Sequence, residues 1–403
     1  MSAVLPPAPG REPQPHPLRY LALFALLSMS MGVAVGVTKI ATALHALSLG
    51  AGPAQLGLIS SGGMVGMLVM ALPIGFMVDH VGARRLFVIG SVLAGAVFAL
   101  QSQAQSPWFL LGTGSVVGFL MPLRFVSLNS EFFAQIRALG TGKASWSRAA
   151  HMSGMFLIGP ALGALLAHRL GFATTWVLVA LSYGLTALLA LRVMGGPTRR
   201  PAAPRAPSPR GRARAVAREL VQLLRDPALR RVNLVDFISQ GATLYTTTFI
   251  VVLALHDFAL DAAQASGLVT AWGAAFIGML FCGGLLVAPL GERRSLWLGM
   301  AVVVAGLLML GTARGTGGLW AGVLLQGLGA GLMQVVNINR IAQVGARLGQ
   351  GRVSGLNLLV GPLGGLLGGS LGGWMGQRWG LQPVFFAFVP GYLLLALLQR
   401  TTE

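Results

Sequence analysis

Charged side chains are scarce in this chain. Asp, Glu, Lys and Arg together make up 10% of the 403 residues, whereas hydrophobic residues make up 55%. A soluble domain carries about a quarter charged residues, so the composition excludes an ordinary soluble protein. Apolar runs of about 20 residues, long enough to cross a hydrocarbon core as helices, recur along the sequence. They do not alternate between apolar and polar residues, which argues against a membrane β-barrel.

Cysteine and the common catalytic patterns are also lacking. The single cysteine, Cys282, excludes a disulfide within the chain. The sequence contains no His-Glu-x-x-His, no Gly-x-Ser-x-Gly and no Cys/His cluster with metal-ligand spacing. We therefore expect no catalytic residue, no metal and no cofactor. An intramembrane enzyme and a non-transporting receptor remain only as distant alternatives.

The apolar runs predict an all-α membrane protein with twelve transmembrane helices. Residues 1–18 are rich in proline and predict a disordered tail, not a cleavable signal peptide. Residues 195–231 form a proline-rich and arginine-rich linker, whose second half (213–229) favours a basic amphipathic helix at the membrane surface. The predicted spans are 19–46, 55–78, 86–104, 108–131, 149–168, 173–193, 232–256, 264–288, 295–313, 318–342, 354–376 and 383–399.

Basic residues fall on one side of this topology. With a cytoplasmic N-terminus, three lie in outer loops, three lie within spans, and the rest of the 29 Lys and Arg lie inside. This positive-inside pattern predicts a protein of the bacterial cytoplasmic (inner) membrane with both termini cytoplasmic. It also explains the net charge of +19 as a topology signal, so we expect no nucleic-acid partner. The outer-loop residues are Arg169, Arg314 and Arg378.

The sequence repeats at a shift of 209 positions. Gly82–Arg85 then falls on Gly291–Arg294, and Leu139–Lys143 falls on Leu348–Arg352. Chance matches of glycine are common in a chain with 57 glycines, but matches of whole loops at one shift are not. The repeat predicts an N-terminal six-helix half (19–194) and a C-terminal six-helix half (232–403), joined by the 195–231 linker.

The loop between the second and third spans contains Gly75, Asp79, Gly82, Arg84 and Arg85 at pattern positions. It resembles the signature G-x-x-x-D-x-x-G-R-[RK]-R/K of the major facilitator superfamily of transporters. Residue 83, an alanine here, departs from the pattern. The resemblance implies two pseudo-symmetric six-helix halves with the substrate site between them near the midplane. It also implies that this loop is a conformational latch; the alternative is that it only anchors the topology.

The fifth span contains Gly159, Pro160 and Gly163. This Gly-Pro-x-x-Gly resembles the fifth-helix signature of the proton-antiporter branches, which export drugs or metabolites, although Ala164 replaces a final glycine. Proline removes a helix hydrogen bond and favours a kink, and glycine permits close helix approach. The resemblance implies export; the alternatives are a proton-coupled uptake symporter and a glycine-rich packing seam without functional meaning.

Five charged residues fall within predicted spans. Such a charge costs roughly 2.5–3.5 kcal/mol on insertion scales, so it usually belongs to a functional site. All five lie on spans one, four, seven and ten, which line the central cavity in the superfamily. They are Lys39, Arg124, Glu131, Asp236 and Arg340.

Two of these charges predict a gate. Glu131 and Arg340 are equivalent under the 209-residue shift, so they are expected to face each other at the cytoplasmic end when that end is closed. The alternative is that Glu131 pairs within its own half, with Arg84, Arg85 or Arg124. Proton coupling needs a group that titrates. Arginine does not, whereas Asp236 and Glu131 do so in suitable surroundings.

The remaining charges suggest a substrate class. Lys39 and Arg124 make the predicted cavity more positive than negative, which favours an anionic, zwitterionic or amphiphilic substrate; alternatively, Lys39 snorkels to the outer interface. Gln240 lies four residues after Asp236 on roughly the same helix face, and Tyr245 lies further along the span. Both are candidate cavity residues. The expected partners are a small-molecule substrate, a proton as coupling ion and membrane lipid, and we expect a monomer.

Overall fold

The computed structural model describes residues 17–139, 144–194 and 225–400. Every regular element in these ranges is a helix. Residues 1–16 of the proline-rich tail and residues 195–224 of the basic linker, which include most of its proposed amphipathic helix, lie outside the described residues.

Twelve helices follow one another in these ranges. Two long helical runs each contain two of them, because a glycine with non-helical backbone angles breaks the run at Gly171 and at Gly291. The helix α5 contains Ala144–Ser153, a π-helical turn at Gly154–Ile158 and residues 159–170. The others are α1 (Pro17–Ser48), α2 (Pro53–Val81), α3 (Ala83–Gln101), α4 (Pro107–Leu139), α6 (172–193), α7 (Pro227–His256), α8 (262–290), α9 (292–312), α10 (Thr316–Leu348), α11 (Gln350–Trp379) and α12 (Val384–Arg400).

The lengths of these helices suit a membrane. Nine helical stretches in the described residues are long and apolar enough to cross one, and a shorter apolar helix covers 384–399. Two of the nine stretches contain the two-helix runs, so the count agrees with twelve spans. The prediction of an all-α protein with twelve transmembrane helices is confirmed.

The helix α7 begins earlier than the hydropathy pattern predicts. The helix α7 starts at Pro227, inside the predicted linker, because Asp226 caps it. The Asp226 carboxylate accepts a hydrogen bond from the Leu229 backbone N–H at 3.0 Å and pairs with Arg347 of α10 at 2.7 Å. Capping side chains of this kind satisfy the free N–H groups of a helix start.

The backbone repeats with the same 209-residue period. Gly82 and Gly291 have φ of 92° and 77°, and Gly171 and Gly380 have φ of 75° and 84°. Ala259, at φ 50°, is the equivalent of Gly50, at φ 79°. A positive φ suits glycine because it has no Cβ. The turns of the two halves therefore have the same conformation even where the residue differs.

We call the end of the bundle where α1 joins α2 the distal end, and the opposite end, where α1 begins and α12 ends, the terminal end. The two halves meet at the distal end. At this end α2 packs on α11 so closely that a Cβ on Gly57 would lie 2.4 Å from the Gly369 carbonyl oxygen. The hydroxyls of Ser61 and Ser370 are 2.8 Å apart. These contacts close the distal end.

Candidate substrate and coupling site

A cavity of about 150 Å³ lies between the halves. Residues of α1, α2, α3, α4 and α7 form its wall, so both halves contribute. Its polar lining residues are Thr38, Lys39, Thr42, Ser60, Gln101, Thr247 and Thr248, and Phe98, Leu56 and Val117 are among the apolar ones.

Lys39 brings the positive charge of this cavity. Its ammonium lies 5.8 Å from the centre of the Phe156 ring, a cation–π contact. Among the described residues, the ammonium has no hydrogen-bond acceptor and no carboxylate partner. The equivalent residue in the other half, Thr248, lines the same cavity. The N-terminal half therefore contributes an unpaired cation to the cavity, whereas the equivalent residue of the C-terminal half is uncharged.

Asp236 lies elsewhere, inside the C-terminal half. It is 8% exposed, and its carboxylate accepts hydrogen bonds from Asn337 of α10 at 2.7 Å and from Asn357 of α11. The Asn357 amide also lies 3.4 Å from Asn233, one turn before Asp236. Three helices thus surround one carboxylate with amide groups. Sequence reasoning missed Asn337 and Asn357, although asparagines inside apolar spans were an available signal.

Three residues of this polar cluster have apolar equivalents in the N-terminal half. At the 209-residue shift, Asp236, Asn233 and Asn337 correspond to Leu27, Phe24 and Leu128. These three residues belong to one buried apolar cluster. The equivalent positions therefore hold a carboxylate in the C-terminal half and apolar side chains in the N-terminal half.

Arg124 and Tyr245 do not line the cavity, contrary to the sequence-based expectation. Arg124 is fully buried within the N-terminal half, where its guanidinium stacks 3.9 Å from the Tyr183 ring and donates to Thr186 at 2.9 Å. Tyr245 is also fully buried, and its hydroxyl donates to the Leu381 carbonyl at 2.6 Å. Each side chain points toward helices of its own half, where aromatic rings surround it.

Gln240 is exposed and faces α11, where its amide nitrogen would lie 3.3 Å from a Cβ built on Gly361. It lies four residues after Asp236, on the same side of α7 as the contact with α11. Gln240 is not part of the cavity wall described above, so its role as a cavity residue stays a prediction.

Arg340, one of the two expected gate residues, pairs within its own half in this conformation. The Arg340 guanidinium lies 3.6 Å from the Glu292 carboxylate and donates to Gln399 at 2.9 Å, so its described partners belong to its own half. Gln343 also donates to Glu292, at 3.0 Å. Glu131 lies on α4, in the other half. The α9–α10–α12 cluster around Glu292 was not anticipated from the sequence.

The loop between α2 and α3 consists of a single linking residue. Gly82 has φ 92° and donates its N–H to Val78 at 3.0 Å, which lets α3 start immediately after α2 ends. Arg84 is half-buried and Arg85 is exposed. A Cβ at Gly75 would have no neighbour within 4 Å. The side chain of Asp79 lies outside the described part of the structure.

The glycines of α5 face α1. A Cβ at Gly159 would lie 2.6 Å from the Gly36 Cα, and one at Gly163 would lie 3.0 Å from the Val37 carbonyl oxygen. The π-helical turn Gly154–Ile158 ends directly before Gly159 and Pro160. The two helices therefore touch backbone to backbone beside an irregular turn.

The family model of the Major Facilitator Superfamily matches residues 21–323 and 237–401. The chain belongs to the Major Facilitator Superfamily. It is therefore an integral membrane protein of a transporter family, and its twelve helices have the fold of that family.

Solved structures share this fold at low sequence identity. The chain resembles the nucleoside transporter NupG (TM-score 0.77, 13% identity, 94% of this chain and 99% of that chain). It also resembles a bacterial homologue of the human lysosomal transporter Spinster (TM-score 0.76, 14% identity, 96% and 97%). A third similar structure is the human organic anion transporter MFSD10 (TM-score 0.71, 19% identity, 96% and 100%). At these identities the likeness concerns the fold alone.

Among curated proteins, the chain is similar to the multidrug efflux pump Tap of Mycobacterium tuberculosis and of Mycobacterium bovis. The identity is 26% over 193 residues. The match covers 44% of this chain and 44% of the relative.

Proposed function

We propose that the protein exports a small anionic, zwitterionic or amphiphilic organic compound from the bacterial cytoplasm in exchange for protons. The observation that carries this proposal is the unpaired ammonium of Lys39 in a cavity between the two halves. A buried cation without a partner is costly, and a substrate carboxylate within the cavity offsets that cost. A lipophilic cation in the same place would be repelled.

Transport proceeds by alternating access, in which the halves rock around the site. We place both termini in the cytoplasm, following the distribution of basic residues. In this orientation the α2–α11 contact closes the outer side, and the substrate enters from the cytoplasm. The resemblance of Gly159, Pro160 and Gly163 to the antiporter signature and the name of the Tap relatives support export over uptake.

Asp236 is our candidate for the proton carrier. Its carboxylate is nearly buried and is held by amide donors from two further helices, α10 and α11. Movement of these helices relative to α7 would change the number of hydrogen bonds to the carboxylate, and with it the affinity for a proton. Glu131 is the second candidate. We assign the latch to Asp79, Arg84 and Arg85, with Gly75 and Gly82 shaping the loop.

The direction and the substrate charge are tested together. The purified protein is first screened by thermal shift against organic anions, cations and zwitterions, because a ligand of the folded state raises the melting temperature. A hit is then followed in vesicles of known protein orientation with an imposed pH gradient. We expect an anion or zwitterion to move against the proton flux, and Lys39→Met to abolish its binding.

The control is Arg314→Gln, which removes a basic residue of the α9–α10 connection. It should bind the hit as the wild type does. Movement of the compound together with protons would support uptake instead of export. Equal binding of lipophilic cations to wild type and Lys39→Met would remove the role of Lys39 as an anion site.

A further inference from the structure

Gln101, at the C-terminal end of α3, lines the cavity and is 1% exposed. Its amide nitrogen donates to the Thr113 hydroxyl at 2.9 Å. That hydroxyl donates to the Phe109 carbonyl at 2.8 Å. Because the single hydroxyl proton of Thr113 is used, Thr113 accepts from Gln101, which fixes the orientation of the amide. The other end of the amide, Oε1, has no donor among the described residues.

Three hydroxyls in the same wall are also restricted to accepting. Thr38 donates to the Val35 carbonyl at 2.8 Å, Ser60 donates to Gly57 at 3.1 Å, and Thr247 donates to Thr243 at 2.8 Å. Each proton therefore points back into its own helix, and only lone pairs remain for a ligand. The wall thus has one cationic donor, Lys39, and acceptors at Gln101, Thr38, Ser60 and Thr247; the hydroxyls of Thr42 and Thr248 complete its polar lining.

We propose that Gln101 forms a second polar subsite, so that the cavity selects a small carboxylate that also carries an O–H or N–H donor, namely a hydroxy acid or an amino acid. The carboxylate pairs with Lys39, and the donor of the ligand satisfies Gln101 Oε1. An unsatisfied buried acceptor is costly, and a ligand donor removes this cost. This inference rests on the proposed function, since it narrows the substrate of that site.

The size of the cavity agrees with this class. At about 150 Å³ it is smaller than the roughly 300–1,000 Å³ pockets that hold drug-sized ligands. A small acid therefore suits this conformation better than a large amphiphile. The apolar lining residues, such as Phe98 and Val117, leave room for a short hydrocarbon part.

The test compares acids that differ by one hydroxyl. Binding to the purified full-length protein is measured by calorimetry and thermal shift with malate against succinate, lactate against propionate, and serine as an amino acid probe. We expect the hydroxy acid of at least one pair to bind about tenfold tighter than its deoxy partner, as one additional buried hydrogen bond allows.

Matched variants assign the effect to Gln101. Gln101→Met keeps the length of the side chain but removes the acceptor, so the hydroxy and deoxy acids should bind equally, at the affinity of the deoxy acid. Gln103→Met, at an exposed position two residues later, should leave the preference unchanged. Lys39→Met should abolish binding of both acids.

Each outcome distinguishes the subsite from the proposed function. Equal binding of hydroxy and deoxy acids to the wild type overturns the Gln101 subsite, while Lys39-dependent binding of both still supports the anion transporter. Absence of any Lys39-dependent acid binding overturns both. The comparison of acids in the wild type does not depend on whether the Gln101 variant folds.

Discussion

Lys39 and Thr248, equivalent residues of the two halves, line the same cavity. The repeat therefore brings the two positions together, but only one of them carries a charge. The second charge with a proposed role, Asp236, lies in the other half, opposite the apolar equivalent Leu27. The residue proposed to bind the substrate thus lies in the N-terminal half, and the proposed proton carrier lies in the C-terminal half. Because the two halves move relative to each other during transport, this division suits an exchange of substrate for protons.

This relationship predicts that the positive charge can be moved across the pseudo-symmetry axis. Lys39→Thr should abolish binding of an anionic ligand because it removes the cation. The double variant Lys39→Thr with Thr248→Lys should restore part of the binding, since residue 248 faces the same cavity. Thermal shift with the anion identified for the wild type measures this. A double variant that folds but does not bind would mean that the charge acts only from α1.

Asp236→Asn should separate coupling from movement of the substrate. The amide cannot carry a proton, so we expect loss of transport driven by a pH gradient, while exchange of labelled for unlabelled substrate continues. Transport by the wild type should rise with the gradient, and exchange by the variant should not respond to pH. Glu131→Gln is the matched comparison. If Glu131→Gln loses gradient-driven transport and Asp236→Asn keeps it, Glu131 is the carrier.

The sequence predicts the number of helices, the repeat and the positions of the membrane charges, because length, hydropathy and loop glycines determine these features. It does not predict which way a charged side chain points. These helices are apolar on nearly all sides, so no amphipathic face orients them. Arg124 therefore turns toward Tyr183 instead of the cavity, and Asn337 and Asn357 reach Asp236 from helices about 100 residues away in the chain.

The Glu131–Arg340 gate is predicted for the other conformation, in which the terminal end closes. Arg340 would then exchange Glu292 for Glu131. In a Cys282→Ser background, Glu131→Cys with Arg340→Cys should cross-link only when that end closes. Ser61→Cys with Ser370→Cys should cross-link in the present conformation, since the two hydroxyls are 2.8 Å apart. Transport should stop when the Ser61→Cys and Ser370→Cys pair cross-links and return on reduction. The gate is wrong if the first pair never cross-links while the second does.

The contact of α5 with α1 predicts a steep sensitivity to a single methyl group. Gly159→Ala would place a Cβ 2.6 Å from the Gly36 Cα, so the helices must separate at a cost of about 1–3 kcal/mol. Gly184→Ala, in α6, is the control, because its Cβ would meet nothing within 4 Å. We expect a lower melting temperature and reduced transport for Gly159→Ala only. Equal melting temperatures would mean that α5 and α1 are less closely packed.

The equivalent turns at Gly50 and Ala259 predict that Gly50→Ala and Ala259→Gly change the melting temperature differently. Both residues have positive φ, which costs a residue with a Cβ about 1–2 kcal/mol. Gly50→Ala should therefore lower the melting temperature, although its Cβ would meet nothing within 4 Å. Ala259→Gly should leave it unchanged or raise it slightly, because relief of strain exceeds or balances the greater backbone entropy of glycine in the unfolded chain. A drop in both variants would mean that the Ala259 side chain, and not its backbone, stabilises the turn.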